Sequence, residues 1–195
     1  MKALDQFLSR YDFTEIHTVK VKASPERTLA AVKALTPSEL SPLVGMLLGL
    51  RDLPSRLTGH SGETPTKTQP FLDQLLEGDF LLLADRTDEV VFGTIGQFWK
   101  LIGERKAGVT TPDEFMNFDQ TDFAKVAANL QVQAADGYTL LSTETRIGAP
   151  DSQTRRKFAF YWRLFSMGSG WIRILWLNAI KRRAENTQLL EKPTG

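Results

Sequence analysis

The sequence predicts an α+β fold in which a curved antiparallel sheet wraps around one long C-terminal helix, with two short helices after the first strand. Three features support this prediction. Residues 15–22 and 123–134 alternate in side-chain character, as strands with one buried face do. Asp136-Gly137 lies between two strand-like segments and is typical of a hairpin turn. Residues 158–180 form a long apolar segment that a sheet would cover.

Composition limits the chemistry that the chain can perform. It has 195 residues, with 24 basic and 23 acidic side chains, two His and no Cys. This length favours a single domain, with a core at about residues 12–185 and a polar, frayed tail at 185–195. The lack of Cys excludes disulfides, thiolate zinc sites and cysteine nucleophiles, and two His exclude a three-histidine metal centre. We therefore expect no metal and no other cofactor.

The charge is balanced overall but unevenly distributed. A net charge of +1 gives no reason to expect a nucleic-acid partner. Residues 151–195, however, hold nine basic and three acidic side chains. Most of the excess lies in Arg155-Arg156-Lys157 and Lys181-Arg182-Arg183, which we interpret as the solvated ends of a helix. The alternative is contact with an anionic membrane surface.

The first residues lack the pattern of a secretory signal. The absence of Cys agrees with a reducing compartment. We therefore expect a cytoplasmic protein.

The first half of the chain predicts one strand, two helices and a loop. After the strand at 15–22, Ser24-Pro25 opens a helix, with Ser24 as the N-cap and Pro25 in the first turn. A second helix is predicted from residue 38 to about residue 52. Residues 54–70 are rich in Gly, Pro, Ser and Thr and predict a loop long enough to act as a mobile flap. A short amphipathic turn follows at 71–76.

The second half predicts two hairpins. Apolar runs at residues 79–84 and 89–95 are joined by four polar residues and predict the first hairpin. The second hairpin pairs residues 123–134 with residues 138–147 across the Asp-Gly turn.

The last helix is predicted to begin with Asp151 or Ser152 as its cap and to run to about Ala184. Its apolar stripe at helical spacing consists of Phe158, Tyr161, Trp162, Phe165, Ser169, Ile172, Trp176 and Ile180. The opposite side also carries apolar residues, namely Phe160, Met167 and Ile174. We therefore predict a helix that is mostly buried, with charges near its ends.

Gly168-Ser169-Gly170 places small residues in the middle of the apolar stripe. Two interpretations are open: glycine kinks or breaks the helix there, or the small side chains leave a gap to the sheet that forms a cavity. The length of residues 158–180 would also span a bilayer. Arg163, Arg173 and Asn178 are costly inside a membrane, so we favour a core helix.

Three segments resemble a known family. They are the opening strand and helix EIHTVKVKASPERTLAAV, the hairpin end LLSTETRI and the closing helix RRKFAFYWRLFSMGSGWIRILWLNAIKRRAE. Together they resemble the START-like superfamily, also called SRPBCC, whose members have the helix-grip fold. The resemblance covers about residues 12–185 and points to bacterial members of unassigned function.

The resemblance implies an apolar or amphipathic ligand in a tunnel between the sheet and the long helix. Members of the superfamily include lipid carriers, hormone receptors, polyketide cyclases and oxygenase subunits. The oxygenase subunits hold iron with two His and one carboxylate. Here only His17 in a strand and His60 in the loop are present, so we transfer no metal site. Cyclases have no fixed catalytic motif, so no catalytic residue is transferred either.

Two polar pairs are candidates for chemistry. His17 shares a strand face with Glu15, and a His–carboxylate pair can act as a general base, although a structural role is more common. Glu144 and Arg146 also share a face. Facing the cavity, they would fix a polar head group or polarise a carbonyl. Facing outward, they would form a structural or surface ion pair, which is the interpretation we favour.

Aromatic side chains are candidates for the pocket wall, with plain core packing as the alternative. Tyr161 and Trp162 lie on the helix stripe, and Phe98 and Trp99 follow a predicted strand. The predicted ligand-binding set consists of Phe98, Trp99, Glu144, Arg146, Tyr161, Trp162, Phe165 and Ser169. The acidic residues Asp113, Glu114, Asp119 and Asp122 lack the spacing of a calcium loop and predict a solvated face.

Three functions are compatible with these features. The leading hypothesis is binding of a hydrophobic or amphipathic small molecule, lipid- or polyketide-like, in a cavity of roughly 300 Å³ or more. The second is a cyclase- or hydrolase-like enzyme, in which Glu144, Arg146 or His17 converge on that cavity as acid–base groups. The third is a membrane-surface or protein-interaction module that uses the basic C-terminal helix. The oligomeric state is not predicted.

Overall fold

The computed structural model describes residues 2–40, 68–78, 80–100 and 106–190, with the side chains of 165, 167, 169 and 187–190 left out of that description. It contains one five-stranded antiparallel sheet with the strand order β1-β5-β4-β3-β2. The strands are β1 (Phe13–Val21), β2 (Leu81–Asp85), β3 (Glu89–Gly96), β4 (Ala124–Ala135) and β5 (Tyr138–Gly148). The predicted opening strand and both predicted hairpins are therefore confirmed.

Helices lie before, between and after the strands. They are α1 (Leu4–Phe7), α2 (Pro25–Ala34), a 3₁₀ turn (Pro37–Glu39), α3 (Phe71–Glu77), α4 (Pro112–Asn117) and α5 (Ser152–Leu190). The α+β class, the antiparallel sheet and the long C-terminal helix are confirmed. The sequence did not predict α1 or α4.

Local signals in the sequence account for several element boundaries. The Ser24 hydroxyl accepts a hydrogen bond from the Arg27 amide at 3.3 Å, as expected of the N-cap of α2. Asp151 caps α5 by accepting from the amides of Gln153 and Thr154 at 2.8 and 2.9 Å. Gly137 has φ +79°, which the turn between β4 and β5 requires.

Some predictions fall partly or wholly outside the described residues. The second predicted helix coincides with the 3₁₀ turn only at its start, and its remainder from residue 41 onward lies outside the description. Of the flap predicted over residues 54–70, residues 54–67 also lie outside the described residues, and so does His60. The α5 helix continues to Leu190 rather than ending near Ala184.

The main core lies between the sheet and the helices α2 and α5. Side chains at alternate positions of β3, β4 and β5 face this side, including Phe92, Leu130 and Leu141. They meet Val32 of α2 and Ile180 of α5, all of them buried. The alternation predicted for residues 123–134 thus points the expected residues toward the helix.

The other face of the sheet is covered by α1 and α4. Here Leu4 of α1 and Phe115 of α4 pack on Val91 and Ala127, and all four are buried. A Cβ on Gly93 would lie only 2.9 Å from the Phe115 ring, so glycine lets that ring approach the sheet backbone. The central strands are therefore buried on both faces.

The helix α5 passes Gly168 and Gly170 without interruption, so the break that was part of one of the two interpretations does not occur. The prediction that this helix is mostly buried is wrong. The sheet and α2 cover one side, whereas Phe160 and Ile174 on the opposite side are 71% and 43% exposed.

Candidate functional site

A small cavity lies between the sheet and the N-terminal half of α5. Its volume is about 130 Å³, which is less than the roughly 300 Å³ expected from the sequence. It is lined by Phe80, Thr94, Phe98, Val126, Thr145, Ile147, Phe158, Tyr161, Trp162 and Arg173. A cavity of about this size has room for one benzene ring.

Phe158 lies at the centre of the aromatic wall and is buried. Its ring centroid is 5.6 Å from that of Tyr161, 6.0 Å from that of Trp162 and 6.0 Å from that of Phe98. The Phe98 ring meets it edge to face, a favourable arrangement for aromatic pairs. These contacts fix the shape of one side of the cavity.

Thr145 contributes an unsatisfied hydroxyl to this apolar space. Thr145 is 2% exposed, and its Oγ1 has no hydrogen-bond partner among the described residues. A buried hydroxyl without a partner costs free energy, so such atoms are uncommon in folded proteins. The other atom of this kind in the described residues is Trp176 Nε1, outside the cavity lining.

A charged cluster borders the cavity where α5 crosses β1. His17 Nε2 lies 2.7 Å from Glu15 Oε1, and Arg173 Nη1 donates to Glu15 Oε2 at 2.6 Å. The side chains of Arg173, Glu15 and His17 are 15%, 19% and 20% exposed. The predicted pairing of His17 with Glu15 on the helix-facing side of β1 is confirmed.

Arg173 belongs both to the cluster and to the cavity wall. Burial lowers the pKa of the Arg173 guanidinium, and the Glu15 carboxylate opposes part of that shift. An arginine has five N–H donors, and Glu15 accepts from one of its nitrogens. The guanidinium therefore has donors left for an acceptor inside the cavity.

Because Gly170 has no side chain, the Glu15 carboxylate can pack against the helix at this position. Gly170 is buried, and a Cβ there would clash with Glu15 Oε1 and lie 3.4 Å from His17 Nε2. Gly168 by contrast is exposed, and a Cβ there would meet nothing within 4 Å. One of the two interpretations of these small residues was a gap to the sheet, and at Gly170 that space is occupied by the Glu15 carboxylate.

The structure brings part of the predicted site together. Phe98, Tyr161 and Trp162 line the cavity, and Trp99 packs in the same aromatic cluster. The side chains of Phe165 and Ser169 lie outside the described residues. Glu144 and Arg146 lie on the opposite face of the sheet.

The Glu144–Arg146 pair binds the N-terminal segment. Arg146 Nε donates to Glu144 Oε1 at 2.6 Å, and Lys2 Nζ donates to Glu144 Oε2 at 2.6 Å. Arg146 also donates to the Leu8 carbonyl at 3.0 Å and pairs with Asp5 at 2.8 Å. The pair is therefore structural, and it does not converge with His17 on one cavity as the enzyme hypothesis requires.

Hydrogen bonds set the ionisation of Glu144. Burial alone would raise its pKa, but the hydrogen bonds and positive charges of Lys2 and Arg146 outweigh burial. The pKa of Glu144 consequently lies below its ordinary value.

Glu89 and Asn129 extend this network toward α1. Glu89 is 1% exposed and accepts from the Ala3 amide at 2.6 Å and from Asn129 Nδ2 at 2.6 Å. Asn129 Oδ1 in turn accepts from the Glu144 amide at 2.7 Å. A continuous polar network thus anchors residues 2–8 to the back of the sheet.

A larger groove of about 620 Å³ lies at the far end of the sheet, around the β4–β5 turn. Two of its lining side chains already have partners. Thr139 Oγ1 donates to the Ala23 carbonyl, and Glu185 accepts from the Lys22 amide. We therefore place the candidate site at the smaller cavity.

Two of the four acidic residues noted in the sequence have structural roles, whereas Asp113 and Asp119 are exposed, as predicted. Glu114 completes a capping box with Thr111 at the start of α4. Asp122 pairs with Lys157 of α5. Within the described ranges, no group of three or more His, Cys, Asp or Glu side chains is arranged to hold a metal ion.

Sequence reasoning missed Thr145 and Arg173 as site residues. Strand alternation would have placed Thr145 on the face of Ile147 and Leu141, but the charged neighbours Glu144 and Arg146 dominated the interpretation of this segment. Arg173 and Glu15 are far apart in the chain, so no local pattern signals their contact. Thr145 and Glu15 are direct neighbours in the β1–β5 register.

Comparison with known proteins does not identify the chain: no protein-family model matches it, and none of the curated proteins matches it significantly. The resemblance to the START-like superfamily stays a prediction from the sequence. Among the helices described, none is both long and apolar enough to cross a membrane.

Proposed function

We propose that this protein is a helix-grip domain that binds an amphipathic small molecule between the sheet and α5. The apolar part of the molecule enters the aromatic cavity, and its polar group meets the Thr145 hydroxyl. The observation that carries this proposal is the unpartnered Thr145 Oγ1 in a cavity walled by aromatic rings.

Chemistry and size define the ligand further. The aromatic wall favours a ring or a short alkyl chain, and about 130 Å³ accommodates one such group. Oxygen atoms of a ligand would have two possible partners here, the Thr145 hydroxyl and the Arg173 guanidinium, which both line the cavity. The ligand is thus a small aromatic or aliphatic molecule with an oxygen function, or a larger molecule that inserts such an end.

The order of elements supports the helix-grip assignment. A first strand pairs with the last strand, helices follow that first strand, and a long helix closes the chain against the sheet.

Native mass spectrometry of the purified full chain tests the proposal. We expect a bound small molecule that leaves on denaturation, and its identification gives the ligand class. The Trp162→Ala and Thr145→Val variants should both reduce its occupancy. A control, Thr143→Val, should retain it, because the Thr143 hydroxyl already donates to the Asn129 carbonyl at 2.7 Å. Equal occupancy in all variants would contradict this location.

A further inference from the structure

Four large apolar side chains form an exposed stripe along α5. Phe160 is 71% exposed, Leu164 62%, Trp171 62% and Ile174 43%. The described chain has eight exposed large hydrophobic residues, so half of them lie on this one helix. Clustered exposure of this kind marks an interaction surface, whereas scattered exposed apolar residues do not.

Helical geometry places the stripe on a single face. At 100° per residue, its four members fall within an arc of about 80°, and they extend over about 21 Å of helix. The buried residues Phe158, Trp176 and Ile180 lie on the opposite side. The stripe therefore points away from the sheet.

Positive charge accompanies the stripe. Between residues 152 and 190 the sequence has eight basic residues and one acidic residue, Glu185. Several of the basic residues pair inward, with Arg155 on Asp12, Lys157 on Asp122, Arg173 on Glu15 and Arg183 on Glu39. Arg156 and Arg163, beside the stripe, are exposed and have no acidic partner among the described residues.

We propose that this face of α5 docks the protein onto an anionic lipid surface. Exposed Trp, Phe and Leu enter the boundary between head groups and acyl chains, and flanking arginines attract anionic head groups. A second copy of the chain fits less well, since it would bring two cationic faces together. The proposal does not depend on a ligand in the cavity.

Vesicle co-sedimentation tests this directly. We expect binding to phosphatidylcholine vesicles containing about one third phosphatidylserine, weaker binding to pure phosphatidylcholine, and release at about 0.5 M salt. The Leu164→Ser/Trp171→Ser variant should bind about tenfold more weakly. Arg156→Gln/Arg163→Gln should also lose about tenfold. All four positions are exposed, and circular dichroism would verify the fold.

Matched controls make the test specific to α5. Ile16→Ser/Leu82→Ser removes exposed apolar side chains elsewhere, and Arg10→Gln/Lys22→Gln removes two exposed charges elsewhere. Both should bind vesicles like the wild type. No preference for anionic vesicles, or equal loss in the controls, would overturn the proposal. So would a dimer in sedimentation velocity that Leu164→Ser/Trp171→Ser abolishes, because the stripe would then serve self-association.

Discussion

Gly170 lies where α5 crosses β1, and its missing side chain allows the Glu15 carboxylate to lie against the helix. Glu15 is held there by His17 and Arg173, so it cannot swing away without losing both contacts. The glycine thus has a packing role that its poor helix propensity would otherwise oppose.

Gly170→Ala is therefore expected to destabilise the fold by roughly 1–3 kcal/mol, because a Cβ displaces Glu15 from its partners. Gly168→Ala is the matched control. Its Cβ meets nothing within 4 Å, and alanine should stabilise the helix by up to about 1 kcal/mol. Urea unfolding of both variants measures the difference. Equal effects at the two positions would mean that Glu15 does not occupy this space.

Thr145 and Thr143 are equally buried neighbours on β5 but differ in hydrogen bonding. Thr145 Oγ1 has no partner in the described chain, whereas Thr143 Oγ1 donates to Asn129. Thr145→Val should therefore raise the unfolding free energy of the ligand-free protein by about 1 kcal/mol, and Thr143→Val should lower it by about the same amount. Thermal or urea unfolding gives the sign. A loss of stability in Thr145→Val would show that its hydroxyl is already satisfied.

At the scale of elements, the position of α1 depends on Glu89, a buried side chain of the sheet. Four residues are too few to form a helix alone, so its position comes from Leu4 packing and from Glu89. Glu89 accepts from the amides of Ala3 and Leu4, which are the first donors of this turn.

Glu89→Ala is expected to cost roughly 2–4 kcal/mol, because it leaves the Ala3 amide and Asn129 Nδ2 without an acceptor. Hydrogen exchange at residues 3–8 should become much faster. Asp88→Ala is the control, since its side chain is exposed on the neighbouring position and exchange should stay as in the wild type. Unchanged exchange in Glu89→Ala would contradict this anchoring role.

Local sequence patterns predicted most elements and failed where tertiary contacts decide. Alternation, the Asp136-Gly137 turn and the Ser24 cap specify their elements within a few residues, and the structure agrees. The helix α1 has no such signal, because Glu89 holds it across the fold. The same limit applies to the site. Helix spacing identified Tyr161 and Trp162, whereas the Glu15–Arg173 contact joins opposite ends of the chain.

Over the whole molecule, the two faces of the sheet have different roles. One face packs on α5 around an aromatic cavity, and the other binds the N-terminal segment through a buried polar network. Residue alternation on β5 separates them, because Thr145 faces the cavity while Glu144 and Arg146 face α1. Mutations on one face should therefore change stability at low pH, and mutations on the other face should change ligand binding.

The network on the α1 face makes stability pH-dependent. Because the folded pKa of Glu144 lies below its ordinary value of 4.5, its stabilisation is complete above about that pH and is lost as pH falls through the folded value. Glu144→Gln should cost roughly 3–5 kcal/mol at neutral pH, and the gap to the wild type should shrink toward pH 3. Urea unfolding from pH 7 to 3 measures it. Glu77→Gln, a control at an exposed position outside this network, should leave the unfolding free energy at neutral pH close to that of the wild type.

Ligand binding in the cavity is tested most directly by titrating the protein with phenol and with benzene and monitoring the amide resonances by NMR. A cavity of about 130 Å³ with an unpartnered hydroxyl should bind phenol about tenfold more tightly than benzene. The largest changes in amide chemical shift should occur near Thr145 and Phe158, and the Glu144 amide should change little. Thr145→Val should remove the preference, and Thr143→Val should keep it. Two results would contradict binding at this site: no saturable chemical-shift change at the residues that line the cavity, or a preference for phenol that remains in Thr145→Val.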